Sequence, residues 1–362
     1  MSIAVVEVNR QAILHNIEYF RKIAPGTELI AIIKANAYSH GIQSVAQLLH
    51  DKVDGFGVAR IAEAQILRKM KITTPIITLE GFFPHDNVWD IIDFNVQPTI
   101  HSEWQIDILN KLAVQNQITV WFKLDIGMHR LGFNLEQAKK AFYRLASCPA
   151  VRKPINILSH FSSADELTSD KTLQQIKLFD EFITSIENRS LIGKSSIAAS
   201  GGIIAWPMSH RDAIRPGIAL YGVSPFDKPI YELKPAMTFK SELIAVREHK
   251  KGESVGYGQI WTSKQDTKLG VVAMGYGDGY PRNIPANTPV LINERRVPIV
   301  GRVSMDMIVV DLGADCLAMP GDEVIFWGKG LMVEEIAKHT GISAYELITR
   351  LTARAKICYI DK

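Results

Sequence analysis

The chain has 362 residues, 47% apolar and 22% charged, with Lys+Arg 41 against Asp+Glu 38. That size and balance fit two domains, or one large barrel with an added module, and give no support to a nucleic-acid or membrane partner. The three cysteines, Cys148, Cys316 and Cys358, have no metal spacing and read as free thiols of a reducing compartment. The first residues, MSIAVVEVNRQAI, lack the features of a signal peptide, and no apolar run reaches spanning length, so a cytoplasmic protein is expected.

Residues 3–8 (IAVVEV) predict a short strand, and Asn9 an N-cap for a helix running to about Ile23, closed by Pro25-Gly26. Strand-like runs then recur at 29–34, 55–60, 75–80, 96–100, 119–125, 155–161, 195–200 and 213–221. Amphipathic helical segments lie between most of them: Val45–Leu49, Ile61–Met70, Trp104–Val114, Leu135–Leu145 and Leu173–Ile186. Strands alternating with helices in this way predict an α/β fold, an N-terminal (β/α)8 TIM-type barrel, with an open doubly wound sheet as the alternative. No GxGxxG follows the first run, which weakens a dinucleotide fold.

The period changes after Tyr231. Short β-rich runs at 237–247, 269–274, 289–292, 297–300, 305–311 and 323–327 are punctuated by Gly, Pro and Asn, and predict a mainly-β domain. Two short helices near Val333–Lys338 and Tyr345–Leu351 are expected to close the chain. The domains are therefore drawn as 1–231 and 232–362, with a linker near Ser224–Pro235.

A barrel carries its chemistry at the C-terminal ends of its strands. Those ends hold Lys34, Tyr38, Arg60, Glu80, Lys123, Asp125, Arg130, His160, Ser200 and Arg215, a set rich in cations and poor in carboxylates. It suits a ligand bearing phosphate and carboxylate. Ser200-Gly201-Gly202 and Pro216-Gly217-Ile218 add glycine turns able to present N–H groups to an anion. Lys34 ends the apolar run Leu29-Ile30-Ala31-Ile32-Ile33, where desolvation lowers an ammonium pKa as a Schiff-base lysine requires. On that stretch alone a lysine snorkelling to water is the simpler account.

The blocks AIIKANAYSHG (31–41), KLDIGMHRLGF (123–133), SHFSSAD (159–165), AASGG (198–202) and RPGIALYG (215–222) follow one another in order. They continue with VGYGQIWT (255–262), GYGDGYPR (275–282) and GRVSMDM (301–307). In this order and spacing the chain resembles the alanine racemases, isomerases of fold type III that use pyridoxal 5′-phosphate (PLP). The resemblance implies a barrel that binds PLP and a β domain that completes the active site of a second subunit in a homodimer. It makes Lys34 the PLP lysine and one base, and Tyr257 of the partner subunit the opposite base. Tyr38, Ser200, Gly217 and Ile218 would bind the phosphate, and Arg215 would face the pyridine nitrogen. His160 would hydrogen-bond between Arg215 and Tyr257. Arg130 and Met305 would bind the substrate carboxylate, and Lys123 matches a lysine carbamylated in some members. Asp165, Tyr276, Arg282, Arg302 and Leu351 would line the access channel.

The chemistry of racemisation agrees with this set. A proton leaves one face of Cα and another returns to the opposite face, so two bases are needed, each with a pKa lowered from about 10 toward neutrality. His160 and Arg215 are expected to provide the cationic field that lowers the tyrosine. An arginine facing the pyridine nitrogen is a poor proton donor, which shortens carbanion lifetime and disfavours transamination.

Several positions depart from the family pattern. Ser39 replaces a glycine, and is small enough to be tolerated there if its φ is negative; Ile126 replaces a threonine, Ala199 an asparagine, Ala353 a tyrosine and Ser304 a cysteine. Three rival functions are a racemase of broader amino-acid range, a barrel decarboxylase and a non-catalytic PLP carrier. Tyr276 argues for a small substrate, the decarboxylase blocks are not evident, and the β domain with Tyr257 and Met305 argues against a carrier. Interconversion of L- and D-alanine is the function expected, for peptidoglycan supply or for alanine catabolism.

Overall fold

The computed structural model describes residues 3–361. Its strands, in chain order, are β1 Val5–Asn9, β2 Glu28–Ile32, β3 Gly55–Val58, β4 Ile76–Thr78, β5 Val96–Ile100, β6 Trp121–Lys123, β7 Ile155–Leu158, β8 Ile192–Ser196 and β9 Ala213–Ile214. They continue as β10 Met237–His249, β11 Ser254–Val255, β12 Trp261–Thr262, β13 Thr267–Val272, β14 Pro289–Ile292, β15 Arg295–Val300, β16 Ile308–Asp311, β17 Glu323–Trp327 and β18 Lys356–Ile360. The contacts divide the chain into two units. One holds Ile17–Ala37 and Ile42–Leu220; the other holds the segment up to Asn16, Tyr38–Gly41 and the chain from Tyr221 onward.

The first unit is the barrel. Strands β2 to β8 pair in parallel in sequence order, and β9 lies on the far side of β2. Closure between β8 and β9 is made by Asp212 N–H to Ser195 O at 3.1 Å and Arg215 N–H to Ala198 O at 3.0 Å, with a parallel bridge between Ala199 and Arg215. Strands such as β2, β3 and β4 are short apolar runs buried on both faces, as a parallel sheet under helices requires, whereas β8, Ile-Gly-Lys-Ser-Ser, is largely polar and only its last residue is buried. Each of the eight runs expected from the sequence overlaps a barrel strand, although the run at 195–200 shares only Ser195 and Ser196 with β8. The last was expected over 213–221 and stops at Ile214, because Pro216 donates no N–H; Ile218–Tyr221 turns as a 3-10 helix instead. The outer helices bury apolar stripes, as Ala138, Ala141, Phe142 and Leu145 do in the helix Leu135–Ser147. Phe122 on β6 stacks on Phe133 at 4.9 Å and on Phe182 at 5.7 Å within this core.

The second unit is built on β10, a 13-residue strand. Its first half pairs with β1 and β17, its second half with β13, and register shifts lie at Phe239/Lys240 and Leu243/Ala245. The strands β10, β13, β16, β15, β14 and β17 thereby close on themselves. β1 is antiparallel to β10 and parallel to β18, with Val5 opposite Lys356. The expected strand at 3–8 is thus present and joins this unit's sheet, whereas β18 had no counterpart in the sequence reading. Asn9 caps the helix Arg10–Ile23 by accepting the Ala12 N–H at 3.1 Å. Phe239, Tyr280, Phe326 and Trp327 form the aromatic centre of this unit. Among the described residues no helix is long and apolar enough to cross a membrane.

Candidate active site

Lys34 does not end its strand. β2 stops at Ile32, and the lysine opens a turn in which Ala35, Asn36, Ala37, Tyr38 and Ser39 have φ of 52, 55, 53, 52 and 64°. This is a left-handed helical turn made without glycine. Each such residue costs about 1–2 kcal/mol, so the surroundings must hold it. The condition of negative φ for a serine at position 39 is not met, so Ser39 carries this strain as well. Several bonds fix the turn. Ala37 donates to Ile33 O at 2.9 Å, Ala35 N–H donates to a Glu63 carboxylate oxygen at 2.7 Å, and Asn36 Oδ1 accepts the Ile42 N–H at 2.9 Å. His40 Nδ1 lies 2.8 Å from Tyr38 O.

At the same end of the barrel the chain gathers cations. Burial, then Arg130, lowers the Lys34 amine below the ordinary lysine value, and Glu80 and Glu63 oppose that fall. Burial, Arg215 and Arg130 hold the Lys123 amine well below its ordinary value. Arg215 is 3% exposed, and burial lowers even its guanidinium to about 10, so it stays charged near neutral pH. It donates to Ser196 Oγ and to the carbonyls of Ser159 and Ile197. His160 is pushed well below the usual imidazole range by burial, then by Lys123 and Arg215. It is therefore neutral, and the cationic field expected from His160 with Arg215 reduces to that of the arginine.

Arg130 is exposed on a loop that Asp125 shapes. One Asp125 oxygen accepts the N–H groups of Gly127, Met128 and His129 at 3.0–3.1 Å. Burial pushes the Asp125 carboxyl up, but these donors outweigh it and leave it below the ordinary value. Ser200 is buried where the helix Ser200–Ala205 begins. Its Oγ accepts from Gly217 N–H at 3.0 Å and from Ala219 N–H at 3.3 Å, so its O–H is the group left to donate. Gly217 and Ile218, distant in sequence, are buried, with Gly217 brought to Ser200 by that bond, and Asp165 is exposed on a loop of the same unit.

The second unit holds the other expected residues. Tyr38 is buried, its ring 5.0 Å from Tyr221 and 6.3 Å from Tyr345; burial raises its pKa, so its hydroxyl is a neutral donor. Tyr257 is 72% exposed, in a one-turn 3-10 segment between β11 and β12. A Cβ on Gly258 would lie 3.4 Å from the Arg302 guanidinium carbon, which places Arg302 against the Tyr257 turn. Met305 is 52% exposed, in a turn where Ser304 N–H meets Met307 O at 3.0 Å. Tyr276 N–H bonds Ser304 O at 3.1 Å, and Gly277 N–H bonds Met305 O at 2.9 Å. A Cβ on Gly279 would meet Leu351 Cα at 2.6 Å, so Tyr276, Met305 and Leu351 gather on one loop cluster. Arg282 is exposed beyond it.

Sequence reasoning missed Glu63. It sits in the first turn of the helix Ile61–Lys69, past the strand end, and carries no motif of its own. Among the described residues no cluster of His, Cys, Asp and Glu is placed to hold a metal ion.

The first unit thus places the chain in the class of TIM-type barrel proteins, with cations gathered at the strand ends around a lysine of lowered basicity. The N-terminal domain of alanine racemases matches residues 8–225, and their C-terminal domain matches residues 236–359. The alanine racemase of Edwardsiella ictaluri is 53% identical, over 100% of this chain and 99% of that protein. The biosynthetic alanine racemase of Escherichia coli is 52% identical over the whole of both. Among solved structures, the biosynthetic alanine racemase of Pseudomonas aeruginosa superposes with a TM-score of 0.94 at 40% identity, covering 99% of this chain and all of that one. The alanine racemase of Bartonella henselae, solved with covalently bound pyridoxal phosphate, gives 0.91 at 28% identity, over 99% of this chain and 100% of that one. The chain belongs to the alanine racemase family, PLP-dependent isomerases.

Proposed function

We propose that this chain interconverts L- and D-alanine with two bases, Lys34 and the partner subunit's Tyr257, in a homodimer that shares its active sites. The observation that carries it is the Lys34 amine, lowered in basicity by burial just past the end of β2, with Arg130 adding to the fall and Glu80 and Glu63 opposing it.

The donor set fits PLP. Lys34 offers an amine able to lose its proton and bond an aldehyde, and cations outnumber carboxylates as a dianionic phosphate and a substrate carboxylate require. The Ser200 O–H and the Ile218 N–H would hold the phosphate; the resemblance adds the Gly217 N–H, which here is shared with Ser200 Oγ, and the neutral Tyr38 hydroxyl. Arg215, held by Ser196 and Ser159, would face the ring nitrogen. Bound PLP supplies an electron sink for the charge left on Cα when its proton departs. Arg130 binds the substrate carboxylate from its Asp125-braced loop, with the partner subunit's Met305 N–H as second donor. Lys34 Nζ takes or returns the proton on one face of Cα. Tyr257 Oη does so on the other, polarised by Arg215 through neutral His160. Asp165, Tyr276, Arg282, Arg302 and Leu351 would line the access channel, and Lys123 is a candidate for carbamylation beside Arg130. Both the Escherichia coli relative and the Pseudomonas aeruginosa structure are biosynthetic enzymes, which favours D-alanine supply for peptidoglycan over catabolism.

Borohydride reduction of the purified protein should fix PLP on the peptide containing Lys34, and the protein should racemise either alanine enantiomer. Tyr257→Phe should slow proton abstraction from one enantiomer by about 10²–10⁴-fold and the other far less, measured as solvent-deuterium incorporation. Equal, small effects in both directions would contradict the two-base scheme, and a fully active monomer would contradict the shared site.

A further inference from the structure

We propose that Glu63 is a positioning residue for Lys34: its carboxylate clamps the left-handed turn that starts at the lysine and ties it to the loop after β3. This rests on Lys34 being the residue that holds PLP and moves the proton.

The carboxylate is used on both oxygens. Oε1 accepts the Ala35 N–H at 2.7 Å; Oε2 accepts the Ala59 N–H at 2.7 Å and the Arg60 N–H at 3.3 Å. A glutamate in the first turn of a helix ordinarily reaches back only to the N-cap N–H, here that of Arg60. That bond is the longest of the three, and the two short ones go to residues outside the helix. Ala35 N–H is the first donor of a helical turn and has no partner within it. Glu63 supplies one, in the charge-assisted form that is shortest and strongest. Lys34 is thus held from two sides, since Ile33 N–H bonds Gly57 O at 2.9 Å on the strand side. Five consecutive residues at positive φ would otherwise relax, and the lysine Cα would move with them. The clamp is also a charge near the amine, opposing the fall in Lys34 basicity that burial and Arg130 cause. Glu63 therefore bears on the position of this amine and, alongside the larger effect of Glu80, on its basicity.

Glu63→Gln separates the roles, because an amide has one acceptor oxygen and faces backbone N–H donors with its own NH2. Glu63→Asp keeps the charge but is too short to span both sides. Hydrogen exchange of the Ala35 amide is followed in the full chain, together with the pH midpoint for acetylation of Lys34 in the full chain freed of cofactor. In Glu63→Gln the Ala35 amide should exchange at least about tenfold faster, the Lys34 midpoint should move to lower pH, and kcat/KM should fall about tenfold or more. In Glu63→Asp the midpoint should return toward the wild-type value while Ala35 stays fast. A folded Glu63→Gln protein with Ala35 exchange and Lys34 midpoint unchanged overturns the proposal. Should that variant not fold, the wild-type protein decides. An Ala35 amide protected about a hundredfold over the free-peptide rate supports the clamp, and one that exchanges as a free peptide overturns it. If the wild type neither racemises alanine nor carries PLP on Lys34, the functional reading fails, while the exchange and acetylation results still decide on Glu63.

Discussion

Ser39→Gly should make this protein more stable, against the usual direction for glycine. Ser39 has φ of 64° and is 7% exposed, so its Cβ is held against the backbone in the left-handed region. Relieving that contact returns about 1–2 kcal/mol. Glycine loses about 0.5–1 kcal/mol through the greater freedom of the unfolded chain. The difference is a net stabilisation of about 0–1.5 kcal/mol, centred near 0.75. Ser39→Ala keeps the Cβ and should lie within about 0.5 kcal/mol of wild type. Ser39→Val, β-branched at positive φ, should lose stability. Urea midpoints for the series, with hydrogen exchange over residues 34–41 to show that the gain is local, measure all three. Equal midpoints for Gly and Ala, or a lower midpoint for Gly, would refute the reasoning and place the stability of the turn elsewhere.

Gly41, two residues on, has φ of 90°, and a Cβ there would sit 2.1 Å from the Tyr359 hydroxyl oxygen, so Gly41→Ala should cost about 2–5 kcal/mol. Adding Tyr359→Phe removes the clashing atom and should recover part of that loss in thermal denaturation; strictly additive losses would refute the steric account. His160 is held well below the usual imidazole value, so as pH falls below about 6.5 the unfolded chain takes up a proton that the folded chain refuses. Stability should therefore drop as pH falls through that range, with no contribution from His160 above it. His160→Gln should flatten this limb in urea titrations at several pH values; an unchanged limb would show that other groups cause it.

The strands were legible where burial on both faces wrote them as apolar runs. Val96–Ile100 emerges with both ends as expected, and so does Pro289–Ile292. Runs failed where one residue overrode the pattern, as Pro216 did after Ile214. The site was legible as a set of residue types, because cations at successive strand ends are visible in one dimension. Its backbone was not. Nothing in Ala35-Asn36-Ala37-Tyr38-Ser39 announces left-handed geometry, since only asparagine favours it and glycine is absent. The neutral state of His160 was also hidden, because it depends on burial beside Lys123 and Arg215, residues distant in sequence. Glu63 escaped because strand ends were read and the helix that follows was not.

The pairing of β1 with both β10 and β18 sets an order of assembly. Barrel neighbours are neighbours in the chain, from β2 through β8, so each strand finds its partner soon after it is made. β1 is synthesised before all of them, yet Val5 has no partner until Lys240 exists, and none on its other side until Lys356 does. During synthesis the alternating Val-Val-Glu-Val segment is thus an open edge with an apolar face, the kind of strand that a neighbouring nascent chain can capture. The first strand to leave the ribosome is completed only with the last one, and slow translation between β1 and β10 should be where this protein is most prone to aggregate.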